Sequence, residues 1–328
     1  MKLQSIGEEE IVERFLKFVD SPMCGEALPI GDDGRDILIN SSRIILSIDG
    51  YSIKAARLPW RSLSDVGWCA VTGAVSDVVS KGGVPQAMLI SVGMPREWDV
   101  DEAVELMKGV REAADVYGVR ILGGDTNESE DPWISIAMLG CTSANKLPPR
   151  SGGRPGDYVL VTGCYGAMGI VCIEGIEKGG EVSWVVESTR RPKASVDLAK
   201  VICEEPNAFH ASMDVSDGLG YTLLTIAKLS RVALEITEPP QYHAELIEYC
   251  GGDRTRLWKY ILSGGEEYGV VLLVDPEKVE LIRHLMNKYN ITYKVIGRAV
   301  KPQNAPQVII SGYGSIEISR WDQFKGWI

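Results

Sequence analysis

Seven aspartates in this chain sit where a packed fold has least use for a charge. "IGDDG" carries Asp32 and Asp33, "LSIDG" ends in Asp49, and "VSD" ends in Asp77. "LGGDT" holds Asp125, and "MDVSDG" holds Asp214 and Asp217. Each closes an apolar run beside glycine, serine or other small residues, outside any solvated stretch of charge. A buried carboxylate must be protonated, paired, hydrogen-bonded or metal-bound, because leaving it bare is costly. One such aspartate alone reads as an ordinary turn or cap residue. Recurrence at the ends of strands and helices, with few basic neighbours, points instead to a shared cation site. Oxygen ligands without thiolates suit magnesium. The net charge of −11 disfavours a nucleic-acid backbone as partner. It is compatible with a polyphosphate only when divalent ions bridge the two.

The 328 residues suggest two domains, and their 45% hydrophobic content suffices for sizeable cores. Residues 8–19 carry apolar side chains at helical spacing. "DILIN" and "RIILSID" read as strands. "LSDVGWCAVTGAVSDVVSKGG" reads as a helix capped by Ser64 and ended by Gly82-Gly83. "AMLISVGMP" reads as a strand. "DVDEAVELMKGVREAADVYG" reads as a helix capped by Asp99, and "VRILGGDT" and "WISIAMLGCT" as strands. "RSGGRPGD" is the expected break, giving domains 1–149 and 150–328. The second half again mixes strands ("YVLVT", "LEIT", "GVVLLVD", "YKVIGRAV") with helices ("GLGYTLLTIAKLSRV", "PEKVELIRHLMNKYN"). The expected class is therefore α/β (α+β).

Several functions are set aside. No apolar run reaches the roughly 18 residues of a membrane span, and the N-terminus lacks a signal-peptide h-region. A cytoplasmic protein with no membrane partner is expected. The seven cysteines form no CxxC pair and read as reduced thiols, and three dispersed histidines make a His-rich metal site improbable. No Gly-Lys dipeptide exists, so there is no P-loop, and neither HRD nor DFG occurs. "TGCYGAMG" spaces its glycines wrongly for a dinucleotide fingerprint and reads as a tight strand-to-helix turn.

"IGDDG", "LSIDG", "LSDVGWCAVTGAVSDVVSKGGVP", "YGVRILGGDT", "RSGGRPGDYVLVTG", "MDVSDGL" and "LSGGEEYGVVL" occur in the order found in thiamine-monophosphate kinases. The chain resembles that family over essentially its full length. The family lies within the PurM-like superfamily, with aminoimidazole ribonucleotide synthetase, selenophosphate synthetase and HypE. The resemblance implies a two-domain PurM-like fold and a homodimer. Its N-terminal mixed sheets pair into a barrel, followed by a C-terminal α/β sandwich. It also implies ATP as co-substrate, several Mg2+ ions and thiamine monophosphate as acceptor. By position, Asp33, Ser47, Ile48, Asp49, Asp77, Asp125, Asp214 and Asp217 would surround the metals, Ile48 through its backbone carbonyl. Gly124 and Asp125 would border the nucleotide, Arg150 would touch its phosphates, and Ser216 would contact ATP. Glu266 and Trp321 would meet the acceptor.

Three departures stand out. Ala56 occupies the place of a substrate-contacting histidine, with Lys54 or Arg57 as possible substitutes. Ile48 replaces a threonine. "GGEEYGV" replaces "GGEDYEL". The chain lacks HypE's terminal cysteine and selenophosphate synthetase's N-terminal catalytic cysteine. The expected reaction is direct in-line transfer from ATP to thiamine monophosphate, with Asp33, Asp77, Asp214 and Arg150 as its machinery. The alternatives are a synthetase like aminoimidazole ribonucleotide synthetase, a kinase for another phosphorylated acceptor, or a non-catalytic nucleotide-binding paralogue.

Overall fold

Every side of the helix Leu63–Ser80 is apolar or small, and all its residues are buried except Ser64 and Asp77. Such a helix needs cover all round, and the rest of the molecule supplies it. The computed structural model describes residues 8–18, 20–39, 42–314, 321–322 and 325–327. The helix is capped by Ser62, two residues before the expected Ser64. Asp65 N–H donates to Ser62 Oγ (3.2 Å), and Ser62 N–H donates to Asp65 Oδ2 (3.0 Å). This reciprocal box satisfies two orphan donors at once. Ser64 lies inside the first turn, where its carbonyl would stand 1.7 Å from any Cβ placed at Gly109. Glycine is therefore required where the two long helices of the first half cross. Asp99 caps the second of these helices, Val100–Tyr117, as expected, and its N–H donates to Glu102 Oε2 (3.0 Å).

The first sheet contains β1 (Arg35–Ile39), β2 (Ser42–Ser52), β3 (Val84–Met94), β4 (Arg120–Glu128) and β5 (Trp133–Thr142). Its order is β1-β2-β5-β3-β4, antiparallel except for β3 and β4. The Val100–Tyr117 helix makes the crossover that this parallel pair demands. Along β5, Ile134, Ile136 and Met138 turn inward at every second position. The second sheet contains β6 (Tyr158–Thr162), β7 (Phe209–Asp214), β8 (Ala233–Ile236), β9 (Val270–Val274), β10 (Tyr293–Val300) and β11 (Gln307–Ile310), in the order β11-β8-β10-β6-β9-β7. β9 is buried on both faces.

The two sheets share a core. Leu160, Phe209, Leu272 and Val274 of the second sheet join Ile134, Ile136, Val71 and Val75 of the first half in one continuous cluster. Val159, Val161, Val271 and Leu273 point the other way, into a second cluster behind the second sheet. The Leu63–Ser80 helix thus lies between the sheets, with one flank on β2 and β5 and the other on β7. Among the described residues, no helix is long and apolar enough to cross a membrane.

Candidate active site

The ends of three elements converge at this seam. Asp33 precedes β1, Asp77 lies on the Leu63–Ser80 helix, and Asp214 ends β7. Carboxylate oxygens of these three lie within 4.8 Å of one another. Strand alternation brings up two more groups. Ser47 and Asp49 share the inward side of β2, and Ser47 Oγ donates to Asp77 Oδ2 (2.5 Å). Ile48 points the opposite way and is 72% exposed. Asp49 packs so closely on the helix that a Cβ at Gly73 would stand 2.4 Å from its Oδ2. The hydroxyls of Tyr51 and Tyr268 lie 3.4 and 3.5 Å from the same point.

The carboxylates do not share one electrostatic situation. Lys81 Nζ lies 2.7 Å from Asp32 Oδ1 and 2.8 Å from Asp33 Oδ2. Arg150 Nε donates to Asp33 Oδ1 (2.5 Å), and Arg150 N–H donates to Asp32 Oδ2 (2.8 Å). Ser80 Oγ also donates to Asp33 Oδ2 (3.1 Å). Burial alone raises the Asp33 carboxyl, but Arg150 and Lys81 outweigh it and hold the group below the usual range. Asp77 has no cation beside it, only the Ser47 hydroxyl. Burial, then Asp214, Asp49 and Asp33, push it well above the usual range. Burial and Asp33 push Asp214 up to about 8. Burial, with Asp217 and Glu266 behind it, takes Asp49 to about 6 against the opposing Gly50 N–H. Ser76 Oγ lies near enough to Asp214 to oppose its shift, yet neither it nor Asp214 Oδ2 makes a hydrogen bond of normal geometry among the described residues. Raised carboxyls beside an orphaned oxygen are what a hard cation with oxygen ligands would relieve. Asp77 and Asp214 fit a divalent ion; Asp33 already spends both oxygens on the protein's own cations.

The second half closes over this seam with two loops joined backbone to backbone. Glu266 N–H donates to Ser216 O (2.7 Å), Val215 N–H to Gly269 O (2.8 Å), and Tyr268 N–H to Val215 O (3.1 Å). "MDVSDGLG" and "SGGEEYG" therefore form one unit. Glu266 and Tyr268 hold φ values of 56° and 45°, left-handed conformations that cost non-glycine residues energy and concentrate at functional sites. Buried Arg61 fixes Glu266: its Nη1 donates to Glu266 Oε2 (2.6 Å) and to Ala56 O (2.9 Å), and its Nε to Thr189 O (3.0 Å). Asp217 lies two residues before the helix Leu219–Ser230, at its positive end.

The remaining expected residues are spread more widely. Ala56 is buried, and its carbonyl is held by Arg61. Lys54 pairs with Asp131 at the surface. Gly124 and Asp125 stand on β4, with two strands between them and β2, and line a groove of about 320 Å3 with Ile90, Met107 and Ile121. Asp125 accepts from Asn127 Nδ2 (2.7 Å). Trp321 begins the two-residue strand β12 (Trp321–Asp322), paired with β13 (Gly326–Trp327); its side chain lies outside the described residues. Sequence reasoning missed Lys81 and Arg61. Lys81 had one available signal, since it follows Asp77 by four residues at the end of the same helix.

Residues 31–142 match the AIR synthase related protein N-terminal domain, and residues 154–308 match the corresponding C-terminal domain. The thiamine-monophosphate kinase of Aquifex aeolicus is 30% identical over 287 residues, covering 85% of this chain and 89% of that protein. The chain belongs to the thiamine-monophosphate kinase family. A second member, from Pyrococcus abyssi, is 30% identical over 294 residues, 90% of this chain and 88% of that protein. The kinase fold is equally clear in solved structures. AaThiL complexed with AMPPCP and TMP matches with a TM-score of 0.81 and 28% identity, over 98% of this chain and 99% of that one. A protein from Thermus thermophilus matches with a TM-score of 0.86 at 24% identity, over 96% of this chain and 100% of that one, which bears on fold alone.

Proposed function

We propose that this chain transfers the γ-phosphoryl group of ATP to the phosphate of thiamine monophosphate, giving thiamine diphosphate. One observation carries the reading: the whole chain matches a family member whose solved complex holds AMPPCP and TMP. The seam between the sheets suits that chemistry. The nucleophile is a phosphate-monoester oxygen whose second pKa is about 6, so it is already charged at neutral pH and needs no strong general base. The obstacle is repulsion between two anions. Divalent ions, when bound, would neutralise the phosphates and the charge that develops during transfer. Asp77, Asp214, Asp49 and Ser47 are the proposed ligands for Mg2+. Asp33, Asp217 and the Ile48 carbonyl are proposed behind them, while Asp125, on β4 and two strands from β2, is proposed to meet a metal only at the nucleotide's side. Arg150, anchored by Asp33 yet 27% exposed, is the proposed phosphate contact. Gly124, Asp125 and Ser216 are proposed for the nucleotide.

Glu266 and Trp321 are proposed for the acceptor. At the position of Ala56 the chain offers no polar side chain, and the residue's carbonyl is already held by Arg61. This keeps a kinase for another phosphorylated acceptor as the second reading. An assay of phosphate transfer over a panel of phosphorylated acceptors separates the two: thiamine monophosphate should give the highest kcat/KM, and a better acceptor would replace it. ATP calorimetry should show binding with Mg2+ and its loss in EDTA; undiminished affinity in EDTA would overturn the metal bridge.

A homodimer is also proposed. Leu46, Ile48, Leu89 and Leu122 expose 40–72% of their surface on the first sheet, an apolar face that a second copy would cover. Sedimentation at micromolar concentration should report twice the chain mass. The cytoplasm is the proposed compartment, consistent with seven cysteines that form no disulfide.

A further inference from the structure

The ammonium of Lys81 is fully buried between the two halves of the chain. Four oxygens surround it: Asp32 Oδ1 at 2.7 Å, Asp33 Oδ2 at 2.8 Å, Ser212 O at 2.6 Å and Pro148 O at 3.4 Å. Three of these match its three N–H donors in length and number. Two carboxylates and two backbone carbonyls around one positive point are the donor set of a hard-cation site. Here the cation is covalently attached. Arg150 then closes the group, so Asp32, Asp33, Lys81 and Arg150 sum to zero charge. At the adjoining end, buried Asp214 Oδ2 makes no hydrogen bond of normal geometry among the described residues.

We propose that Lys81 is a fixed internal cation that takes the place of one divalent ion, confining metal binding to the Asp77–Asp214 end of the line. It is a positioning residue: it touches no reacting atom, and acts by engaging the Asp33 carboxylate together with Arg150, so that its oxygens are not free for a metal. The proposal rests on the reading that Asp77 and Asp214 hold divalent ions. Removing the ammonium leaves Asp32 and Asp33 facing a space already lined by oxygens. A divalent ion should enter it, because uncompensated buried carboxylates are costly.

The test is the stoichiometry of Mn2+ bound without nucleotide, counted by electron paramagnetic resonance and by calorimetry on the full chain. Lys81→Met should bind one more Mn2+ per chain than the parent. A double variant, Lys81→Met with Asp32→Asn, restores one charge and should return to the parental number. Should Lys81→Met be unfolded in metal-free buffer, Mn2+ should refold it, read by circular dichroism; failure to refold overturns the proposal. Equal stoichiometry in the parent and a folded Lys81→Met also overturns it, leaving Lys81 a structural ion pair. A parent that binds no Mn2+ beside a variant that binds one would count against metal binding by Asp77 and Asp214 in the absence of nucleotide, but support the role of Lys81. No Mn2+ in either protein would overturn both.

Discussion

At one end of the acidic line two carboxylates meet two cations; at the other, Asp77 and Asp214 meet each other. Both ends are buried, and both are built from segments far apart in sequence. Yet Asp33 is held below the usual carboxyl range while Asp77 and Asp214 are driven above it. Burial acts in the same direction on all three, so the difference comes from the protein's own counter-ions. A fold that only needed its carboxylates quiet would have paired both ends. Leaving one end bare keeps a place where an external cation gains more than it would at a satisfied site. The paired end supplies a rigid frame that holds the bare end in position.

The sharpest way to break this comparison is to remove a charge at the paired end. Asp33→Asn leaves Lys81 and Arg150 short of a partner, and breaking one side of a buried pair costs about 3–5 kcal/mol. Urea unfolding of the metal-free protein should show a loss of that size, and an unchanged midpoint would mean the pairing is idle. At the bare end the same chemical change should act on turnover. Asp77→Asn should lower kcat by about 10²–10³-fold, as removing a group that stabilises transition-state charge does elsewhere. Its metal-free melting temperature should hold or rise, since an uncompensated carboxylate has gone. Near-normal turnover at limiting Mg2+ would reject the role of Asp77.

The two ends should also answer pH in opposite senses. Asp214 binds its proton more tightly folded, at about 8, than unfolded, at about 3.9. The folded state therefore holds more protons across that window, and metal-free stability falls as pH rises through it. The slope is up to about 1.4 kcal/mol per pH unit. Asp33 is the reverse: its held-down carboxyl contributes stability above the unfolded value, lost as pH falls below it. Melting from pH 4 to 8 without metal should show the decline, and Asp214→Asn should make it shallower, the remainder belonging to Asp77 and Asp49. An unchanged slope in Asp214→Asn would remove Asp214 from the account. The smallest effect is expected at Ile48, whose side chain faces away from the line. Ile48→Thr should change stability by less than about 0.5 kcal/mol and leave Mg2+ affinity within about twofold, read by calorimetry.

Much of this was legible in the chain itself. The first-half elements follow from clear periodicities, and the aspartates stood out because each broke an apolar run. What escaped depended on distant partners. Lys81 before Gly82-Gly83 looks like a solvated helix end, and only Ser212 and Asp32, brought in by the second half and by the loop before β1, make it a buried ion. Arg61 follows "LPW" and looks like a loop cation, but its partners are Thr189 and Glu266. The cap at Ser62 was misplaced because Ser64 sits in a similar local pattern; Asp65 three residues on decides between them. The helices Ile176–Gly180 and Ser183–Arg190 are too short for periodicity to register, and β11 is defined by parallel pairing with β8, which no local pattern encodes.

The helix Leu63–Ser80 has one further consequence, for the chain while it is being made. Its cover on one flank, β2 and β5, is synthesised within the first 142 residues. Its cover on the other, β7, begins only at Phe209. During translation at about 5–20 residues per second, a helix that is apolar or small but for Asp65 and Asp77 waits several seconds for its second wall. Slowing elongation between the two should therefore increase capture of the nascent chain by holdase chaperones. A polar residue on the β7-facing flank would ease that interval at the expense of the finished protein.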